Sequence, residues 1–361
     1  MSIQLSDENP LSVFVRRQGV MVLDGGLATT LESRGCDLYD DLWSARILLE
    51  APQVIRQTHF DFLAAGADCI ATSSYQASLP GFRKHGLSEA RGLKLLRQSV
   101  RLALDARDEF WRVPDHRRGR LRPLVAASIG PYGAFLADGS EYTGRYNLGD
   151  EDLYAFHRRR WHLLARSQAD LLACETIPSH SEAEVLLRLL KETPETWAWM
   201  SFSCGDGAHL CDGSPLCEVA RLCHAEPRVA GVGINCTSPE LVADLIAQIR
   251  LSTDKPVLVY PNSGDQYDVA SRTWVEKSPR MEWDEAVIRW ARLGATGIGG
   301  CCRIGPAEIA AIRRHLVSLR GDAGLASRSS QIPKQGLAAN QEDHERDNLV
   351  RRHPQVGFKE E

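Results

Sequence analysis

Short apolar runs rich in Val, Ile and Ala recur along the chain, at residues 20–26, 68–75, 124–130, 170–175, 196–204, 229–236, 256–260 and 295–300. Each is too short for a stable helix and largely free of the polar alternation that marks a strand with one wet face. Strands that are apolar on both faces must be covered on both faces, the condition of a parallel sheet wrapped by helices. Between these runs, residues 54–65, 92–110, 182–190, 241–249 and 283–293 carry apolar side chains at helical spacing. Residues 8–19 read as a short lead-in helix. Strand followed by helix, eight times over, predicts an α/β chain folded as a TIM-type (β/α)8 barrel, with its chemistry at the C-terminal ends of the strands. An open doubly wound sheet would give similar local signals, but its nucleotide turn would have to be Asp24-Gly25-Gly26-Leu27-Ala28. That turn lacks the GxGxxG spacing, and no convincing acidic ribose ligand follows it.

At about 150 residues per domain the length would suggest two domains, yet barrels of this kind run from about 200 to more than about 400 residues as one. The pattern decides for one. Beyond residue 319 sustained apolar periodicity stops, and Gly, Ser, Gln and charged residues take over. The expectation is a single barrel domain over residues 1–319, including the lead-in, and a polar, flexible tail over 320–361.

Barrel topology would bring distant residues to one rim. Asp24 ends the first run, Ser73, Ser74, Tyr75 and Gln76 end the second, and Glu175 ends the fourth. Asn235 and Cys236 end the sixth, Pro261, Asn262 and Ser263 follow the seventh, and Cys301 and Cys302 follow the eighth. Residues 76–89 and 131–152 form two long segments on the same rim. The second, dense in Gly and Tyr, suits a lid over substrate, although ordered decoration would have the same composition.

Charge narrows the partners. With 47 acidic against 43 basic side chains there is no field to gather a polyanion, which disfavours nucleic acid. No apolar stretch is long enough for a membrane span, and the start, MSIQLSDENP, is unlike a secretion signal. A cytoplasmic protein is expected, its 10 cysteines reduced. Cys69 and Cys174 fall inside strands and read as core.

Cys236, Cys301 and Cys302 differ, because all three sit at strand ends. The adjacent pair cannot easily form a strain-free disulfide, since its α-carbons are held about 3.8 Å apart. It can bind one ion if the backbone turns, and Gly299, Gly300 and Gly305 ease such a turn. Read from the residues alone, a metal site and ordinary buried thiols both stay open. A site with three thiolates and one open position would activate a further thiol for attack on the methyl group of a cationic donor, or a water for hydrolysis. Glu175 and Asp24 would serve either as bases or as holders of a substrate ammonium group.

Seven segments together carry a resemblance: LDGGLATTLESRG from Leu23, TSSYQ from Thr72, IGPYGAFLADGSEYTG from Ile129, CET from Cys174, GINC from Gly233, YPNSG from Tyr260 and GGCC from Gly299. As an ordered set they resemble the homocysteine S-methyltransferase family, in its branch using S-methylmethionine or S-adenosylmethionine, over residues 11–316. The resemblance implies one zinc ion per chain on Cys236, Cys301 and Cys302, with homocysteine sulfur as fourth ligand. It implies that Glu175 holds the homocysteine amino group, that Asp24 and Gly25 belong to the amino-acid pocket, and that Ser74, Tyr75 and Asn262 lie near it. Methyl transfer to homocysteine forms methionine, with a sulfonium donor as co-substrate and no cobalamin. Tyr132, Phe135, Tyr142 or Tyr146 would either face the sulfonium or pack the lid. A monomer or modest homo-oligomer is expected. Two other classes fit the residues: another zinc enzyme such as a metallohydrolase, and a non-enzymatic amino-acid or zinc-binding protein.

Overall fold

Eight parallel strands form one sheet in the order β1-β8-β7-β6-β5-β4-β3-β2. They are β1 (Met21–Val22), β2 (Cys69–Ala71), β3 (Leu124–Ile129), β4 (Leu171–Ile177), β5 (Ala198–Phe202), β6 (Val229–Asn235), β7 (Val257–Tyr260) and β8 (Gly297–Ile298). The structure is a computed structural model and describes residues 8–37, 44–268, 273–275 and 283–321. A parallel bridge between Leu23 and Cys69 brings the two ends of the sheet together, closing the expected barrel. Every expected strand is present; most are shorter than their apolar runs, and β4 continues two residues past Glu175.

The helices follow the periodicity. Pro52–Ala65, Glu89–Arg112, His180–Lys191, Val242–Arg250 and Trp283–Leu293 cover the barrel, and Pro10–Gln18 is the lead-in. The last helix, Pro306–Gly321, runs just past the expected domain boundary, and the remainder of the expected tail lies outside the described residues. An antiparallel ribbon of Gln266–Asp268 with Thr273–Val275, too short for any period to reveal, follows β7. No helix among the described residues is long and apolar enough to cross a membrane.

Alternation along the strands divides the core in two. One set of buried residues, including Met21, Cys69, Ala126, Ala173, Trp199 and Leu258, fills the barrel interior, where Leu11 and Phe14 of the lead-in helix join it. The intervening residues, such as Val22, Ile70, Val125, Leu172, Cys174 and Val259, pack outward under the helices. Cys69 and Cys174 are thus both core thiols, on opposite faces of the sheet.

The β1–β2 seam is completed by side chains. Asp68 is fully buried; its backbone N–H donates to Val22 O at 2.7 Å, and its Oδ2 accepts from Val22 N at 3.0 Å. The same Oδ2 takes a 2.7 Å bond from Arg313 of the last helix, with Arg120 3.7 Å from Oδ1. Two residues further along, Asp24 Oδ2 accepts from Ala71 N at 2.8 Å.

Replacing Asp68 with Ala leaves a backbone donor and buried guanidinium charge without their acceptor. The expected loss is about 3 kcal/mol of unfolding free energy, read from the urea midpoint. A loss below about 1 kcal/mol would place the closure of the seam elsewhere.

Candidate active site

The inward-facing residues change character near the C-terminal rim. Two positions beyond the apolar layer of Ala126, Ala173, Trp199 and Leu258 come Ser128, Glu175, Ser201 and Tyr260. Because side chains two apart share a face, this step places a carboxylate in the barrel mouth on an apolar floor. Ser128 Oγ donates to Glu175 Oε1, and Tyr260 also bonds that carboxylate. Tyr260 is itself fixed by Trp199 Nε1, which donates to its hydroxyl at 3.0 Å. Burial pushes Glu175 up to about 7, with the Ser128 and Tyr260 bonds pulling the other way.

Just past Glu175 the chain kinks. Thr176 has φ 61°, and the β4–β5 register shifts between Cys174 and Ile177, a bulge that re-aims the neighbouring side chains. Asn235 holds it: Asn235 Oδ1 accepts from Thr176 N at 2.8 Å and from Ser201 Oγ at 2.7 Å, while its Nδ2 donates to Thr176 Oγ1 at 2.7 Å. The next residue, Cys236, is also left-handed, with φ 49°. Non-glycine residues held in this region store strain, which collects at functional sites.

The fold brings together the three cysteines singled out by their positions. Their sulfurs all lie within 4.8 Å of one another. Cys236 and Cys301 are paired as a disulfide, an exception to the expected reduced state; the strand ends hold their α-carbons 5.6 Å apart, within disulfide range. Cys302 Sγ lies 3.9 Å from Cys236 Sγ and 4.0 Å from Cys301 Sγ. Tetrahedral zinc with sulfur ligands at about 2.3 Å spaces them by about 3.8 Å, so both Cys302 separations fit such an ion and reduction of the pair frees the other two ligands. Burial pushes the Cys302 thiol up to about 12, with Glu141 and Glu32 adding to the rise, so thiolate there at neutral pH calls for a nearby cation.

The glycines near this cluster act differently from expectation. Among the described residues the left-handed turn after the cysteines is at Arg303, φ 65°, and Gly299, Gly300 and Gly305 are not left-handed. What Gly300 supplies is close approach, since a Cβ there would lie 2.2 Å from the Ile304 side chain. Gly25 does the same, its Cβ position falling 2.2 Å from Ile304 O. The β1 and β8 loops therefore nest backbone to backbone, joined by bonds from Gly26 N to Ile304 O at 2.8 Å and from Gly300 N to Asp24 O at 3.1 Å.

Asp24 is half-buried, and burial raises its proton affinity, the Ala71 bond lowers it and the facing Glu175 raises it further. Ser74 is buried with its hydroxyl committed to Thr72 Oγ1 and Ser128 O, both at 2.7 Å, and so stands behind Ser128. Tyr75 is half-buried, bonded to Thr176, and feels the charges of Glu141 and Glu175. Asn262 has a buried Oδ1 with no partner among the described residues. Its loop supports the cysteines, as Cys301 N donates to Pro261 O at 2.8 Å and Ser263 N to Cys302 O at 3.2 Å.

Over the mouth, residues 131–152 contain the helix Tyr132–Leu136 and a turn at Ser140–Tyr142. Tyr132 packs against Phe135, Tyr146 and Phe156 with ring centroids 4.9 to 5.5 Å apart, so these rings pack the segment itself. Sequence reasoning passed over Glu141, which the turn buries beside the site; burial pushes it up to about 7. Its signal was an acidic residue between Gly139 and Gly144 in an otherwise lid-like segment, which does not itself indicate burial.

Residues 21–316 match the family described as homocysteine S-methyltransferase. Homocysteine S-methyltransferase YbgG of Bacillus subtilis is 47% identical over 312 residues, covering 86% of this chain and 99% of that protein. Two solved structures of the homocysteine methyltransferase MmuM from Escherichia coli, an oxidized and a metallated form, superpose with TM-scores of 0.77 and 0.76. They are 43% and 44% identical to this chain, and each comparison covers 85% of it and 99% of the solved chain.

The half-buried Glu175 carboxylate, raised from 4.5 to about 7, makes the folded chain hold a proton that the unfolded chain has lost. Stability therefore falls as pH rises through that window. Glu175→Gln removes this dependence and should gain about 2 kcal/mol on the ligand-free parent between pH 5 and pH 8, by urea unfolding at both pH values. An equal difference at the two pH values would contradict the raised value.

Proposed function

Because the chain belongs to the homocysteine S-methyltransferase family, we propose that it transfers a methyl group to homocysteine from S-methylmethionine or S-adenosylmethionine, using zinc held by Cys236, Cys301 and Cys302. The observation that carries this reading is the convergence of three cysteine sulfurs from the ends of β6 and β8 within 4.8 Å, at the same barrel rim as the half-buried Glu175 carboxylate. The metallated form of the Escherichia coli relative is consistent with a metal at such a site.

When bound, zinc would lower the proton affinity of an incoming thiol, so that homocysteine sulfur is a nucleophile near neutral pH. Glu175 would bind the homocysteine ammonium group, its carboxylate aimed by Ser128 and Tyr260. That contact supplies the positive charge whose lack keeps Glu175 near neutrality in the ligand-free chain. Asp24 would add a second carboxylate to this pocket, where it feels the charge of Glu175 while one of its oxygens accepts from Ala71 N. Gly25 would shape this wall by letting the β8 loop approach, with Tyr75 and Asn262 near it and Ser74 acting from behind Ser128.

In the transfer, a bond forms between homocysteine sulfur and the methyl carbon as the carbon–sulfonium bond breaks. Its electron pair leaves with a neutral thioether. Charge is consumed along this path, so the residues have mainly to align three atoms and exclude water. The aromatic segment over the mouth suits that second task.

Reduced, zinc-loaded protein should form methionine from homocysteine with either sulfonium donor, and betaine should serve poorly. Cys302→Ala should cut bound zinc and transfer together, the latter by at least about 100-fold, since even outer partners of metal ligands cost up to that. Full zinc content with normal transfer in that variant would remove the metal assignment. Zinc-dependent hydrolysis without methyl transfer would favour the metallohydrolase class.

A further inference from the structure

Glu141 has a role in neither metal binding nor the homocysteine contact, yet the segment over the mouth buries it. It is 8% exposed, and its Oε2 has no hydrogen-bond partner among the described residues. Its backbone is pinned, because Glu141 O accepts from Ser203 Oγ at 3.1 Å. Gly133 lies so close that a Cβ there would come within 2.3 Å of Glu141 N. Two residues past the turn, Gly144 packs on Pro178 O in the same way. The carboxylate cannot leave for solvent without moving this segment, and it lies close enough to Tyr75 and Cys302 for its charge to act on both.

A buried acceptor without a donor is costly, and such sites in folded proteins are completed by a ligand or water. The kind of ligand follows from what the oxygen lacks. A sulfonium carries positive charge but no hydrogen to donate, whereas a primary ammonium carries three donors. The homocysteine ammonium is already placed at Glu175, beside Ser128 on the barrel floor. We propose that Glu141 receives the primary ammonium group of the methyl donor, and so selects amino-acid sulfonium donors over those without an amino group. This rests on the methyl-transfer reading above.

The amino group lies several bonds from the methyl carbon, so its contact is the same in ground state and transition state. Its loss should raise the donor KM and leave kcat nearly unchanged.

The test compares S-methylmethionine with dimethylsulfoniobutanoate, the same molecule without the amino group, as donors for parent protein and Glu141→Gln. Binding of labelled S-methylmethionine is measured alongside by equilibrium dialysis. The parent should prefer S-methylmethionine by at least about 10-fold in kcat/KM, the range for a hydrogen bond to a charged group. In Glu141→Gln the preference should collapse towards unity through donor KM, with homocysteine KM unchanged and S-methylmethionine binding weakened. A parent that uses both donors equally overturns the proposal even if the variant fails to fold. A variant that keeps the preference, or binds S-methylmethionine as the parent does, overturns it too. No methionine from any donor would instead strike the methyl-transfer reading, and the dialysis comparison then decides the ammonium site by itself.

Discussion

Closure of the barrel between β1 and β2 is the constraint on which the site depends, because it makes neighbours of residues from opposite ends of the chain. The ladder itself contributes little there, a single bridge at Leu23 and Cys69. Two carboxylates finish the seam by accepting backbone N–H groups, Asp68 from Val22 and Asp24 from Ala71. Asp68 works at the sealed end, where two arginines balance its charge. Asp24 works nearer the open end, where burial and the charge of Glu175 both raise its proton affinity. On the proposed function, the same interaction that shuts the barrel would also position an acid of the pocket. It also sets β1 against β8, so that the Gly25 and Gly300 loops nest and the cysteine pair is presented inward.

The mouth that results is rich in groups that become negative. Asp24, Glu175 and Glu141 all have raised proton affinity from burial, and Cys302 likewise. Burial is the main cause in each case, because a poorly hydrated site disfavours the charged form. On the proposed function, the cluster would be complementary to a metal cation and to the ammonium groups of two substrates, which would favour the ionised forms of its acidic groups.

Much of the barrel was legible because its evidence is periodic. Short runs apolar on both faces, recurring eight times, marked the strands, helical spacing marked the covers, and the strand ends then nominated Glu175, Cys236, Cys301 and Cys302. What stayed hidden has no period. Asp68 looks like any strand-end acid until the seam is seen. Glu141 gains its meaning from a turn that buries it, and Gly300 from a side chain four residues on. The Cys236–Cys301 pairing depends on an α-carbon separation that no spacing in the sequence reports.

The least legible feature is also the one that ties the pocket together. Asn235 was noted only as a strand end, yet its amide fixes the Thr176 bulge through two bonds and receives Ser201 as well. It stands between two left-handed residues, Thr176 across the sheet beside Glu175, and Cys236 next in its own chain. A left-handed threonine persists only where surrounding bonds over-determine it, and Asn235 supplies those bonds. Asn235 thus links the strand end that carries Glu175 to the one that carries Cys236, by its side chain to the first and by its backbone to the second. On the proposed function Glu175 would hold the amino end of homocysteine and Cys236 would help to hold its sulfur end, so this link would keep the distance between the two contacts constant. Rigid spacing of this kind is what in-line transfer requires, because a thiol held at only one end would sweep an arc rather than meet the methyl carbon.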